Sequence, residues 1–213
     1  VDSLEGASVE EIDKKDLFRL IKIFEDDQLD VLDQKLGPAA IKNIDSESLS
    51  ELPDEKSLFL IKQFSVSTKG DLTKDTAHLL IEKAPTDSIV KVDSSRLVMF
   101  SNAIGNSQLR DMDKSKLSAI IRSIDTNHVS ALEPEKLLSI SSKMPDSDLA
   151  GLDKAKQTSI LSKLDAEYMR FDADGNPIAG ADVESGPGFA ETSDARVRDQ
   201  SDVIWVNIIK GFE

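Results

Sequence analysis

Cysteine is absent from this chain of 213 residues, and so are the sequence motifs of the common enzyme classes. Without cysteine the protein has no disulfide bond, no thiolate metal site and no thiol nucleophile. The sequence also lacks G-x-S-x-G, the phosphate-binding loop, the dinucleotide fingerprint and H-E-x-x-H. These absences predict a protein that is not an enzyme and that uses no organic cofactor.

Histidines and long apolar segments are scarce as well. His78 and His128 are the only histidines, and neither has a second histidine three or four positions away. The sequence therefore predicts no zinc site and no serine–histidine–aspartate triad. We expect His78 on a helix surface and His128 in a turn. No window of about 18 apolar residues occurs, so no membrane span is predicted.

The composition favours an aliphatic core and an acidic surface. Aromatic residues make up only 5% of the chain, whereas hydrophobic residues in all make up 39%. The formal net charge of −14 repels phosphate backbones and anionic membranes, which argues against nucleic acid as a partner. An acidic surface suits solubility, divalent cations or a basic partner.

The apolar residues of the chain recur at a fixed period. From Glu11 the pattern continues without a gap through eight repeats, whose positions we number 1 to 20. Positions 2, 10 and 14 are apolar in every repeat, and position 19 is apolar in all but one, where Lys69 stands. Position 10 holds Leu20, Ala40, Leu60, Leu80, Phe100, Ile120, Ile140 and Ile160.

Each 20-residue repeat predicts a longer helix, a turn and a short helix. Positions 7, 10, 11 and 14 follow the i, i+3, i+4, i+7 spacing of one helix face, over roughly eleven residues. Turn residues such as Gly105-Asn106-Ser107 follow, and an apolar pair such as Leu109 and Met112 marks the short helix. Because helices this short are marginal alone, we expect the repeats to stack into an α-solenoid. Gly37-Pro38 is expected to break the helix of repeat 2.

Position 3 predicts the start of each longer helix. It carries helix N-cap residues in most repeats, namely Asp13, Asp33, Thr73, Asp93, Asp113, Glu133 and Asp153. Pro53 is the exception, and we expect it in the first helical turn. The alternative is that the aspartates form a stripe that binds cations.

Two further sets of residues are candidates for a surface function. Position 6 carries Lys56, Lys116, Lys136 and Lys156, predicted as a solvated stripe, with an anion-binding ridge as the alternative. Phe18, Leu58 and Leu137 lie at or near position 8 and are candidates for an exposed apolar patch that binds a protein or peptide.

The C-terminal segment departs from the repeat. We divide the chain into a lead-in (residues 1–10), the solenoid (11–165) and a β-containing tail or cap (166–213). Strands are predicted at 168–172 and 177–183, and the most β-prone stretch lies at 203–209. An uncovered apolar strand adheres to other strands, so this stretch is the candidate assembly site. Its candidate residues are Val203, Ile204, Trp205, Val206, Ile208 and Ile209.

The turn of the tail is a candidate calcium site. Asp172, Asp174 and Asn176 supply oxygens with the spacing that opens a calcium loop. An EF-hand is excluded because Pro177 stands where the loop requires glycine and Val183 where it requires glutamate. The alternative is an aspartate-rich hairpin turn without a metal.

Two resemblances bear on function. Residues 174–183 resemble the G-x-P-x-x-G-A-x-V hairpin of invasin-type and carboxypeptidase-regulatory-like Ig modules, although the other strands of such a module are missing. The repeats, with runs such as Leu49-Ser50-Glu51-Leu52-Pro53, are similar to those of the mesothelin, otoancorin and stereocilin group. Members of that group carry cysteines and glycosylation sites, which this chain lacks. The resemblance implies adhesion or a matrix role at the cell surface.

Three functions are compatible with these features. We expect a non-enzymatic structural or adhesive protein, extracellular or on the cell surface, that assembles through its C-terminal strand. The first alternative is an α-solenoid scaffold that binds a protein or peptide. The second is a calcium-responsive module.

Overall fold

A computed structural model describes residues 14–25, 28–29, 40, 46–64, 72–168, 170–171 and 177–178. The described part is mainly helical, which confirms the predicted fold class at that level. In chain order its helices are α1 (Lys14–Ile23), α2 (Ser46–Glu51), α3 (Lys56–Gln63), α4 (Lys74–Lys83), α5 (Thr86–Ile89), α6 (Ser94–Ala103), α7 (Asn106–Asp111), α8 (Lys114–Ser123), α9 (Thr126–Val129), α10 (Pro134–Ser141), α11 (Asp146–Ala150) and α12 (Lys154–Tyr168).

The longer helices begin at the same position of successive repeats. The helices α4, α6, α8, α10 and α12 all start at position 4, directly after the predicted cap. The helices α4, α6 and α8 are 10 residues long, and α10 has 8. The helix α3 starts later, at Lys56, because a turn follows Pro53, whose carbonyl accepts from the Lys56 amide (3.0 Å). The expectation that Pro53 lies in the first helical turn was therefore wrong.

Side chains at position 3 cap these helices. Asp93 accepts from the Arg96 amide at 3.0 Å, and Asp113 accepts from the Ser115 amide at 2.7 Å. Thr73 and Asp153 cap α4 and α12 in the same way. Such caps satisfy backbone N–H groups that have no partner inside the helix. The predicted capping role is confirmed at these four positions, whereas Glu133 makes no cap bond and Pro134 starts α10 instead.

The short helices α5, α7, α9 and α11 span 4 to 6 residues. Each buries its position-19 residue, and position 2 of the next repeat is buried just beyond the helix. In α7 these residues are Leu109 (0% exposed) and Met112 (4%). The i, i+3 pair predicted from the sequence thus anchors each short helix to the core.

The chain divides into two compact regions, Val1–Ile124 and Asp125–Glu213. In the first region the longer helices pack in order, α3 on α4, α4 on α6 and α6 on α8. Short helices contact a longer helix two repeats further on, as α2 does with α4 and α5 with α8. In the second region α9 and α10 both pack on α12, and the contact of α9 again joins repeats that are two apart.

The longer helices of the first region are buried on more than one face. Five consecutive residues are buried in α6 (97–101) and five in α8 (117–121). The sequence predicted a single apolar face, so this burial differs from the expectation. The reason is that α8 contacts α6 on one side and α5 on another, and its small residues Ser118 and Ala119 leave room for close approach.

Two short strands follow α12. The strand β1 (Arg170–Phe171) pairs antiparallel with β2 (Pro177–Ile178), with Arg170 opposite Ile178 and Phe171 opposite Pro177. Residues 166–168, predicted to belong to the β-containing tail, instead continue α12, so the prediction that the first strand begins at Tyr168 was wrong. The remaining residues of the predicted tail lie outside the described residues. A β-containing cap and the domain boundaries at residues 10 and 165 stay predictions.

Candidate functional site

The two sites predicted in the tail cannot be placed by the structure. The candidate calcium ligands Asp172, Asp174 and Asn176 fall outside the described residues. The same holds for the six candidate assembly residues Val203, Ile204, Trp205, Val206, Ile208 and Ile209. Both sites stay predictions.

The described position-3 aspartates, Asp93, Asp113 and Asp153, act as helix caps. Partial burial alone would raise the pKa of Asp93, but hydrogen bonds from Ser95 and Arg96 outweigh it and lower the pKa. Hydrogen bonds from the hydroxyl and amide of Ser115 lower the pKa of Asp113. Among the described residues no three His, Asp or Glu side chains lie close enough together to hold a metal ion. The capping hydrogen bonds explain why aspartate occupies position 3 in these repeats, and no bound ligand is needed to explain it.

The predicted apolar patch is wrong for two of its three residues. Phe18 is 6% exposed and Leu137 is 0% exposed, so both belong to the core. Leu58 is half-buried. The large apolar side chains that do reach the surface in the described ranges are Ile23 (63% exposed) and Val90 (58%). Single exposed apolar residues are ordinary and mark no binding surface by themselves.

The basic residues at position 6 reach back to earlier helices. Arg96 Nε donates to the carbonyl of Phe64 at 2.8 Å, across 32 residues of sequence. Lys116 Nζ donates to the carbonyl of Ile81 at 3.2 Å and also contacts the carbonyl of Glu82. These acceptors lie at the C-terminal ends of α3 and α4, each two repeats before its donor. The predicted solvated stripe is therefore wrong for Lys116, whose ammonium is engaged in the first region.

The prediction of a solvated stripe is also wrong for Lys156. Its side chain is only 7% exposed, in the second region. Burial lowers the pKa of Lys156, and the nearby carboxylates of Asp153 and Asp125 partly offset that effect. Asp153 caps the same helix, whereas Asp125 lies in the segment before α9, two repeats earlier. Lys156 thus lies near a carboxylate that belongs to the repeat two before its own.

Further polar contacts in the first region also join different repeats. Lys83 Nζ lies 3.1 Å from Asp54 Oδ1, and Gln108 Nε2 donates to Asp75 Oδ1 at 3.0 Å. The hydroxyl of Ser94 donates to the carbonyl of Ser123 at 3.2 Å. Residues 29 to 35 apart are thus repeatedly in contact, and these contacts join repeats that are adjacent or two apart.

One aromatic pair also joins two repeats, repeat 3 and repeat 5. The rings of Phe64 and Phe100 meet edge to face, with centroids 5.5 Å apart, and both side chains are 0% exposed. Phe64 is position 14 of repeat 3 and Phe100 is position 10 of repeat 5. Because Arg96 also binds the Phe64 carbonyl, the end of α3 is attached to α6 through ring and backbone together.

The histidines and one serine complete the set of candidates. His78 is half-buried on α4, as expected of a helix surface, but His128 lies in the short helix α9 and not in a turn. His128 Nδ1 is 3.8 Å from Asp125 Oδ2. Ser141 is 1% exposed, and within the described part of the chain its hydroxyl has no hydrogen-bond partner.

Arg96 was not predicted as a functional residue, although it occupies position 6 as the four lysines do. The signal for it in the sequence is a basic side chain of either type at that position.

Within the described ranges no helix is both long and apolar enough to cross a membrane. Comparison of the chain with protein-family models, with curated proteins and with solved structures finds no match. The assignment of function therefore depends on the repeat and its contacts.

Proposed function

We propose that this protein is a non-enzymatic structural or adhesive protein whose eight 20-residue repeats form an α-solenoid. In this proposal the repeats act as an acidic spacer, and the apolar stretch at residues 203–209 joins one copy to another. The setting is extracellular or at the cell surface, which is what the resemblance to the mesothelin group implies.

The observation that carries the proposal is the set of contacts between repeats. The longer helices start at the same position of successive repeats, and side chains bind backbone carbonyls of residues 29 to 35 positions away. An array held together in this way is stabilised by each added neighbour, as in solenoid proteins. A protein built of such neighbours suits the role of a spacer.

The last repeat has the features of a terminal one. Positions 7 to 9 are buried in repeats 5 and 6, where they read Leu-Val-Met and Leu-Ser-Ala. In repeat 8 they are Gln157, Thr158 and Ser159, none of which is fully buried. A polar outer face is typical of the repeat that ends a solenoid. This supports a role for the segment beyond α12 that differs from further stacking.

The scaffold alternative has less support. It requires exposed apolar or aromatic side chains on one face, and two of its three candidates, Phe18 and Leu137, are buried. The solitary exposed residues Ile23 and Val90 do not replace them.

Light scattering after size exclusion tests the proposed assembly. We expect the wild-type chain to show a mass above the monomer that rises with concentration. The variant Ile204→Lys/Val206→Lys/Ile208→Lys places three charges on one face of the predicted strand and should be a monomer. Val90→Lys is the matched control, because it changes an exposed apolar residue in the described repeats and should behave as wild type.

Repeating the same measurements in millimolar calcium and in chelator distinguishes a calcium-responsive module from assembly that does not need calcium. Assembly that requires calcium and is lost in Asp172→Asn/Asp174→Asn would assign a calcium role to the turn. A wild-type chain that stays monomeric at every concentration, with and without calcium, would refute assembly through the tail.

A further inference from the structure

The longer helices end in a way that leaves backbone carbonyls to be satisfied. The last four carbonyls of any helix have no partner inside it, and many helices solve this with a left-handed glycine. Here the residue after α3, α4, α6 and α8 is instead extended, with ψ between 123° and 139°. Gly105, one residue further on from α6, has φ −66° and is not left-handed.

Cations from a later repeat reach these carbonyls. The guanidinium of Arg96 binds the carbonyl of Phe64, directly after α3, and the ammonium of Lys116 binds Ile81 and Glu82 in the last turn of α4. A cation at this end of a helix also interacts favourably with the helix dipole. Both side chains are half-buried, so water screens the interaction less than at an open surface.

The position of these cations recurs along the chain. Position 6 is basic in five of the eight repeats, at Lys56, Arg96, Lys116, Lys136 and Lys156. The other three repeats carry Asp16, Leu36 and Thr76. Thr76 belongs to repeat 4. The repeat two before it is repeat 2, whose longer helix the Gly37-Pro38 pair is expected to break.

We propose that Arg96 and Lys116, the basic residues at position 6 of repeats 5 and 6, are clamps that hold the end of the longer helix two repeats before each of them. Repeats 5 and 6 are then tied to their second neighbours as well as to their first. Opening of a helix end is controlled from a site two repeats further along the chain, and an array with such ties resists local fraying. The clamp is a property of the single chain and does not depend on the assembly of copies.

Amide hydrogen exchange of the folded chain, read by NMR, tests the clamp residue by residue. The last backbone bond of α4 runs from the Ala84 amide to the Leu80 carbonyl (3.0 Å), and the Phe64 amide closes α3 on Ile61. Lys116→Met keeps the apolar stem and removes the charge. We expect it to speed exchange at Ala84 about tenfold, because the ammonium no longer binds the Ile81 and Glu82 carbonyls of that helix end.

The two clamps control for each other. Arg96→Met should speed exchange at Phe64 and leave Ala84 within about twofold of wild type, whereas Lys116→Met should do the reverse. Lys116→Arg should keep Ala84 protected, and Lys114→Met, an exposed change on the same helix, should alter neither amide. Equal acceleration at Phe64 and Ala84 in both variants, or no acceleration in either, would overturn the proposal. Because the readout is local to one chain, it is independent of the assembly experiment.

Discussion

The edge-to-face pair of Phe64 and Phe100 provides a direct test of packing between repeats 3 and 5. Both rings are fully buried, with centroids 5.5 Å apart. An aromatic pair of this kind contributes about 0.5–1.5 kcal/mol beyond the area that it buries. Replacing either ring by leucine should lower the free energy of unfolding by on the order of 1–2 kcal/mol through lost volume and contacts.

The test is a double-mutant cycle on Phe64→Leu and Phe100→Leu. The ring contact can be lost only once, so the double variant should be destabilised by about 1 kcal/mol less than the sum of the single variants. Urea unfolding followed by far-ultraviolet circular dichroism gives each free energy, provided that the slope m stays constant across the set.

Phe18 provides the matched control for this cycle. It is also a buried phenylalanine, 6% exposed, but it lies in α1, four repeats before Phe100. Phe18→Leu combined with Phe100→Leu should be additive to within about 0.3–0.5 kcal/mol. If the Phe64 and Phe100 changes are additive to the same degree, the packing described between repeats 3 and 5 is refuted.

Two further predictions follow from single side chains. Ser141→Ala should raise the free energy of unfolding by about 1–2 kcal/mol, because it removes a buried hydroxyl that makes no hydrogen bond. Ser118→Ala, at a serine that is similarly buried but has an interaction partner, should give no such gain, and a gain of equal size would contradict the explanation. Asp93→Ala should cost about 1 kcal/mol at neutral pH through loss of the cap. The folded-state pKa of Asp93 is below its ordinary value of 3.8, so its contribution is present above that pH and is lost as the pH falls through the folded-state pKa. Urea unfolding of wild type and Asp93→Ala should therefore differ at pH 7 and converge in strong acid, and a constant difference would exclude the ionised cap.

Much of the helical pattern could be predicted because it depends on local chemistry. Caps at position 3 and apolar residues at positions 10 and 14 act within one helix, so Asp93, Phe100 and Ile104 predict α6 from the sequence itself. The start of α3 could not be predicted in this way. Pro53 suits a first helical turn, but the chain instead forms a turn after Pro53, and α3 begins only at Lys56.

The role of the basic residues at position 6 could be recognised only from the structure. A lysine on a helix usually points to water, and the period of the repeat does not tell which earlier carbonyl lies near it. Only the packing of repeats two apart brings Lys116 to the end of α4. Phe18, at position 8, lies outside the predicted apolar face and is nevertheless buried, whereas Leu137, at position 7, belongs to that face. Sequence periodicity describes one helix, whereas burial depends on all of its neighbours.

The central claim is that the 20-residue repeat is the structural unit of this protein, and deletion of one unit tests it most directly. Removing residues 91–110 takes out one repeat and rejoins position 20 to position 1, so every later residue keeps its position. Removing residues 101–110 deletes half a repeat and shifts the positions of everything after it. We predict that the first variant retains helical circular dichroism in proportion to its length and unfolds cooperatively, whereas the second loses cooperative unfolding. If the two deletions behave alike, whether both fold or both fail, the repeat is not the unit on which the fold is built.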